Sequence, residues 1–430
     1  MQPPYNRQML PTEDLRSGAA FARPRAADEP RFRAEARAIL ERVRAEGDAA
    51  LLALTLEFDG ASLETTRVPS EAIEVTRGAL PPALREAIDA AAERLRELSA
   101  HQLPVEWYEE RDGIRSGEVV RPLRRVGCYV PGGRAAYPST VLMTCIPARA
   151  AGVEEVVVCT PPHPDGSLSA AVLYACAVAG ATEVHAVGGA QAVAALAYGT
   201  ESIAPVDRIV GPGNAWVTAA KAEVAADGLV AIDGLAGPTE LVLVADATAD
   251  PRAIAADLIA QAEHDPLAEA TLVSWDEDLI EAARAALERR SKDASRSDVL
   301  AASLPRARAL LVRDEDQAAE VADAIAPEHL QVITEDAHAF LKRVGSFGAA
   351  FLGPHTPVSL GDYGVGSNHV LPTLGTARFA SGLRASDFVT VSSVVEATVE
   401  GLAAVAPGVV ELARAEGLDG HADAVEVRLE

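Results

Sequence analysis

Short, wholly apolar runs separated by alanine-rich stretches set the rhythm of this chain from about residue 150 onward. Runs at about 153–159, 183–187, 206–210 and 229–233 form a first series, with Val156-Val157-Val158-Cys159 as its type. A strand that is apolar on both sides is buried on both faces, so these runs predict a parallel sheet covered by helices. A second series follows Gly237-Pro238, at about 240–245, 270–274, 308–312, 329–333 and 348–352. Two successive α/β series of similar strand number suggest duplication, although no clear self-similarity links their sequences.

Upstream, residues 31–57 and 82–101 read as helical. The second stretch opens with Pro81-Pro82 and carries Leu84, Ile88, Ala91 and Leu95 at helical spacing. Residues 113–131 read as a strand pair leading into Gly127-Cys128-Tyr129-Val130-Pro131-Gly132-Gly133. Residues 1–28 are rich in Pro, Arg and acidic side chains and predict an arm without a core of its own. From about 382 onward the tail reads as helical, with Val394, Val395, Val399, Leu402 and Val405 as its apolar face.

A chain of 430 residues, 49% of them hydrophobic, has the length for two or three domains and the material for large cores. A formal net charge of −25 argues against nucleic acid and anionic membranes as partners, since both reward a basic face. Basic residues are almost all Arg, with Lys only at 221, 292 and 342, a skew read as genomic base composition. Cys128, Cys145, Cys159 and Cys176 form no Cys-x-x-Cys and read as buried free thiols, which fits a reducing cytoplasm. The first residues lack the apolar core of a signal peptide, and no apolar run reaches the roughly 18 residues of a membrane span.

Candidate chemistry lies in a few polar positions. Gln261 and His264, three apart on a helix predicted at about 250–264, project from one face and could offer two ligands to a metal. Asp362 sits in a Gly-rich loop, Ser359-Leu360-Gly361-Asp362-Tyr363-Gly364, and His421 stands near the end of the chain. Glu328 and His329 follow Pro327 just before an apolar strand; to reach one substrate together they should lie in the preceding turn. A histidine titrates near neutrality and suits the base that an alcohol oxidation requires. No Gly-x-Gly-x-x-Gly opens either series, but Gly188-Gly189-Ala190-Gln191 and Gly211-Pro212-Gly213-Asn214 are strand-to-helix turns that expose backbone N–H groups to a pyrophosphate. Taken singly, each of these is ordinary surface, turn or core.

Their order and spacing, together with Ile232-Asp233-Gly234-Leu235-Ala236-Gly237-Pro238-Thr239-Glu240 and Ala326-Pro327-Glu328-His329, resemble the histidinol dehydrogenase family over roughly residues 30–430. The resemblance implies a zinc- and NAD-dependent oxidation of L-histidinol through L-histidinal to L-histidine. It makes Gln261, His264, Asp362 and His421 the zinc ligands, an unusual set that includes a weak amide. It makes His329 the general base and Glu328 the residue that activates water for the second oxidation. It assigns Tyr129, Gln191 and Asn214 to NAD. Substrate contacts would be Thr239, His369 and Glu416, besides the four ligands and His329.

It further implies a homodimer of two incomplete Rossmann-like α/β domains, with the C-terminal tail reaching the partner's site. The expected layout is an arm at 1–28, a metal-bearing domain at 29–126 and 239–381, an inserted NAD-binding domain at 127–238 and a tail at 382–430. Two rival readings are a paralogue that oxidises another small polar alcohol, such as a sulfonated diol, and a non-catalytic metal-binding relative. Glu416 and His369 speak against the first, and Glu328 with His329 against the second.

Overall fold

The computed structural model describes residues 9–18, 21, 30–132, 136–363 and 365–430. In chain order its strands are β1 (Thr12–Asp14), β2 (Trp107–Arg111), β3 (Ile114–Pro122), β4 (Arg125–Tyr129), β5 (Glu155–Thr160), β6 (Glu183–Ala186) and β7 (Arg208–Val210). They continue with β8 (Ala231–Ile232), β9 (Glu240–Ala245), β10 (Glu269–Ser274), β11 (Arg308–Leu311), β12 (His329–Ile333), β13 (Ala349–Leu352) and β14 (Val389–Ala397).

Two of the three sheets are parallel throughout. The five-stranded sheet runs β6-β5-β4-β7-β8, and the six-stranded sheet β1-β11-β10-β9-β12-β13. Once β1 is set aside, the two orders are identical: third, second, first, fourth, fifth. That shared topology is the structural counterpart of the two apolar series.

Their central strands are buried on both faces, as the apolar runs require, whereas the edge strands β1 and β8 are not. Val156 and Val158 of β5 enter one core cluster, while Val157 and Cys159 enter the cluster on the opposite face. Likewise Leu241 and Leu243 of β9 face one side, and Val242 and Val244 the other. Each such side chain contributes about 1.5–3 kcal/mol on burial. All four cysteines are buried free thiols, and burial pushes Cys159 and Cys176 up from the usual thiol range.

The upstream segments depart from expectation. Gly47, at φ +58°, breaks the first helical stretch into Pro30–Glu46 and Asp48–Asp59. Ala36, Leu40, Val43, Leu51 and Leu54 of these helices pack with Tyr129 and Val157, and Ile88, Ala92 and Leu95 of helix Pro82–Ala100 pack with Val126 and Val158. These helices therefore cover the five-stranded sheet, not the six-stranded one expected to bear the metal. Parts of the expected coreless arm are ordered: Leu10 and Leu15 are buried, and β1 pairs with β11 from Thr12↔Ala309 to Asp14↔Leu311. Residues 1–8, 19–20 and 22–28 of that arm, and Gly133 and Gly364 of the quoted motifs, lie outside the described residues.

The region 113–131 is not one hairpin. Its first strand, β3, joins an antiparallel sheet ordered β14-β3-β2, whereas β4 opens the parallel sheet. The tail begins as the strand β14, in register with β3 from Val389↔Pro122 to Ala397↔Ile114, so Val394 and Val395 are strand residues. Helices follow at Val399–Ala415 and Asp419–Glu426. Thr398 starts the first by accepting from Gly401 N at 3.1 Å. Among the described residues no helix is long and apolar enough to cross a membrane.

Candidate active site

The candidate catalytic pair lies where the strand order of the six-stranded sheet reverses, between β9 and β12. Helix Glu315–Ile325 ends on Ala326, held in the left-handed region at φ +48°, and the chain then turns through Pro327 and Glu328 into β12. Glu328 is thus in the turn, as expected, while His329 is the first residue of the strand, opposite Leu241. Both are buried. Glu328 Oε2 accepts from the Thr239 hydroxyl at 2.6 Å and from Glu240 N at 2.9 Å.

His329 Nδ1 stands 3.2 Å from the Glu240 carbonyl oxygen and 3.4 Å from Glu328 Oε2. A carbonyl only accepts, so Nδ1 carries the proton and Nε2 keeps a lone pair in the neutral ring. Burial alone would lower the His329 imidazole, but the Glu328 charge beside it outweighs that and raises it. Gln261, also buried, donates from Nε2 to Thr239 Oγ1 at 3.1 Å. Thr239 therefore ties the candidate metal-ligand helix to Glu328, the neighbour of the candidate base.

A second string of contacts joins His264, Asp362 and His369. His264 Nδ1 lies 2.8 Å from the Ala260 carbonyl oxygen and so donates to it, leaving Nε2 as a donor of electrons 3.7 Å from Asp362 Oδ2. The other carboxylate oxygen stands 3.6 Å from His369 Nδ1. Burial would raise the Asp362 carboxyl, but His264 and His369 outweigh it and hold it well below the usual range. In turn Asp362 raises the His264 imidazole.

This arrangement fits a borderline divalent metal. A ring nitrogen fixed by a backbone carbonyl is how metal-bound histidines are oriented. Gln261, with its NH₂ engaged, has its carbonyl oxygen left for a cation, and imidazole, amide and carboxylate together suit zinc. Among the described residues no three His, Cys, Asp or Glu side chains by themselves gather as a metal site.

The dinucleotide candidates gather at the opposite kind of edge. Tyr129 ends β4 and is buried, and its hydroxyl accepts from Gly189 N at 3.2 Å, where helix Gly189–Tyr198 begins. Gln191 is buried on that helix. Gly211 follows β7, next to β4 at the reversal of this sheet, and a Cβ there would overlap the Tyr129 carbonyl oxygen. Asn214, exposed, caps helix Ala215–Ala226 by accepting from Trp216 N and Val217 N at 3.1 Å each. This is the carboxyl edge, the usual ligand edge of an open parallel sheet. Thr239, Glu240, Glu328 and His329 instead line the amino edge of the other sheet. The two edges meet: Thr140, on helix Pro138–Ala150 after β4, lies 3.2 Å from His369 Nε2, and Asn368 Nδ2 donates to Met143 O at 2.7 Å.

The family model for histidinol dehydrogenase matches residues 22–429. The chain belongs to the histidinol dehydrogenase family. Curated histidinol dehydrogenases agree: that of Methanothermobacter thermautotrophicus is 48% identical over 91% of this chain and 92% of its own length. That of Gluconobacter oxydans is 45% identical over 96% of each. The crystal structure of histidinol dehydrogenase from Elizabethkingia anophelis, 33% identical, superposes with a TM-score of 0.93 over 99% of both chains. An oxidoreductase of histidine biosynthesis is therefore the frame for the site.

Two expected members of a histidinol dehydrogenase site stand apart within one chain. His421, on helix Asp419–Glu426, and Glu416, just after helix Val399–Ala415, are both exposed. The hydrogen bonds of the His421 and Glu416 backbones, to Leu418 O and Leu412 O, stay within the tail. Conversely, Thr140 was not singled out from sequence; a threonine in the apolar stretch Ser139-Thr140-Val141-Leu142 carries no signal of its own. Lys221, beside the Gly211 turn, belongs to no motif, though it is a rare lysine in an arginine-rich chain; its partner Asp233 lies in the motif at 232–240 without a role of its own there.

Proposed function

We propose that the chain oxidises L-histidinol to L-histidinal and then to L-histidine, with one zinc ion per subunit and two molecules of NAD. The observation that carries this reading is the convergence of Gln261, His264 and Asp362 with the Thr239–Glu328–His329 string at one sheet edge. Zinc held by these ligands and by His421 would fix the substrate through its nitrogen atoms, and NAD would accept a hydride at each oxidation.

His329 takes the hydroxyl proton on Nε2, since its Nδ1–H is committed to the Glu240 carbonyl. The adjacent Glu328 carboxylate stabilises the imidazolium that forms. In the second oxidation Glu328 accepts a proton from the water that adds to the aldehyde, while Thr239 and Glu240 N hold that carboxylate in place. His369, between Asp362 and Thr140, lies at the boundary between the two sheets, where the carboxyl end of the product would fit.

Glu416 would meet the substrate's ammonium group. For it and His421 to do so, the tail must reach the site of a partner subunit, which makes the homodimer part of the reading. A row of exposed apolar residues on the tail, Val391, Val394, Val395, Val399, Val405 and Leu412, supports such a partner. An assay of NADH absorbance with L-histidinol, run beside metal analysis, tests the reaction. NADH formation at low millimolar substrate or below, lost on chelation and restored by zinc, is expected. Bound metal without NADH would refute it.

A further inference from the structure

Asp59 ends helix Asp48–Asp59, immediately before Gly60 in the left-handed region at φ +72°. A carboxylate there faces the negative end of the helix dipole, a position that disfavours it. Its Oδ2 is buried and has no hydrogen-bond partner, and burial pushes the carboxyl up to about 6. One turn back on the same face, Thr55 Oγ1 is also buried without a partner. Leu51, a further turn back, packs with Tyr129 and Ala190, which places this helical stripe against the candidate dinucleotide edge.

Its surroundings point to the same edge. Its charge reaches the Tyr129 phenol, whose hydroxyl accepts from Gly189 N. Beside Gly189 lies Gln191 Oε1, another buried oxygen without a partner. The adjacent Gly60 lies over Pro164, in the loop that follows β5; Pro161 of that loop packs over Gly132 and Gly188. In a doubly wound sheet an acidic residue downstream of the first strand accepts the ribose hydroxyls of the dinucleotide. Here β5 runs straight into Pro161-Pro162-His163-Pro164-Asp165, and the one carboxylate of that run is engaged locally, accepting from Ser167 N at 3.0 Å and Ser167 Oγ at 2.6 Å.

We propose that Asp59 supplies it from the neighbouring helix, accepting hydrogen bonds from the vicinal hydroxyls of a nucleotide ribose and so selecting NAD over a 2′-phosphorylated dinucleotide. The inference rests on the NAD reading of this edge. Two hydroxyl donors satisfy the orphaned carboxylate, whereas a phosphate on the same ribose sets like charges against each other in a partly desolvated space.

The test uses the zinc-loaded enzyme. Asp59→Asn keeps the shape and removes the charge; losing a charge-assisted bond raises the KM for NAD by about tenfold. The preference for NAD over NADP narrows, while the KM for histidinol and the zinc content stay unchanged. Folding is not at risk, because an uncharged residue suits the helix end better, and an undiminished melting temperature checks this. Gln191→Ala is measured alongside. An unchanged KM for NAD in Asp59→Asn with a weakened Gln191→Ala overturns the assignment of Asp59 alone. If both variants bind NAD normally, the dinucleotide reading of this edge falls with it.

Discussion

Lys221 and Asp233 hold Gly211 by both of its backbone polar groups. Lys221 Nζ donates to Gly211 O at 3.0 Å, Asp233 Oδ2 accepts from Gly211 N at 2.7 Å, and the two side chains are themselves ion-paired and buried. The turn that leads from β7 to Asn214 is thereby fixed at the sheet's point of reversal. Removing one partner strands a buried charge, so Lys221→Met should cost about 3–5 kcal/mol in denaturant unfolding. Lys221→Met with Asp233→Asn should recover part of that loss. A single variant within about 1 kcal/mol of the parent would show that the turn does not depend on the pair.

Replacing His329 with Asn should slow NADH formation from histidinol by about 10²–10⁴-fold, the usual contribution of a positioned base. Zinc content should stay constant, because His329 is outside the proposed ligand set. Near-normal turnover would remove the residue from the reaction.

Glu328→Gln separates the two oxidations. The amide can no longer take a proton from water, so single-turnover oxidation of histidinal should slow far more than that of histidinol. Equal losses would point instead to the 3.4 Å contact with His329 as its main contribution.

Stability should carry the signature of Asp59. Folded, its carboxyl keeps a proton up to about pH 6, whereas the unfolded chain releases it near the ordinary 3.8. The native state binds more protons across that window, so this contribution is fully present below it and lost as pH rises through about 6. Melting temperatures of Asp59→Asn should therefore exceed the parent's at neutral pH and converge with them toward pH 4. A difference independent of pH would assign the effect to shape rather than ionisation.

The tail predicts a complementation. His329→Asn and His421→Ala proteins, each inactive, are mixed by reversible unfolding. Random pairing makes about half the dimers mixed, each with one intact site of two if tails cross, so roughly a quarter of parental activity returns. Heterodimers that form yet stay inactive would mean the tail serves its own subunit.

The parallel sheets were legible because two-sided burial leaves runs such as Val156–Cys159 and Leu241–Val244 with no polar interruption. The strand β14 was not, because its partner β3 lies far upstream and its valines fit a helical face equally well. Residue identity marked Gln261, His264, Asp362 and His329, but nothing local says that Glu240 and His329 open their strands on the amino edge of the sheet, against the habit of parallel folds. Helix Pro82–Ala100 was recognised as a helix, yet which sheet it covers depends on Ile88 and Leu95 meeting Val126 and Val158, a tertiary fact.

The two parallel sheets present four edges between them, an amino and a carboxyl edge each. In the proposed reading the reaction occupies a seam between one edge of each frame, so neither copy carries it alone. The amino edge of the five-stranded sheet is left free for fastening: there Arg125, at the start of β4, is buried between Glu155 and Glu183, which open the next two strands, with Nη2 at 3.0 Å from Glu183 Oε2. A doubled unit whose halves meet head to tail can thus tighten its outer edges and remodel its inner ones independently.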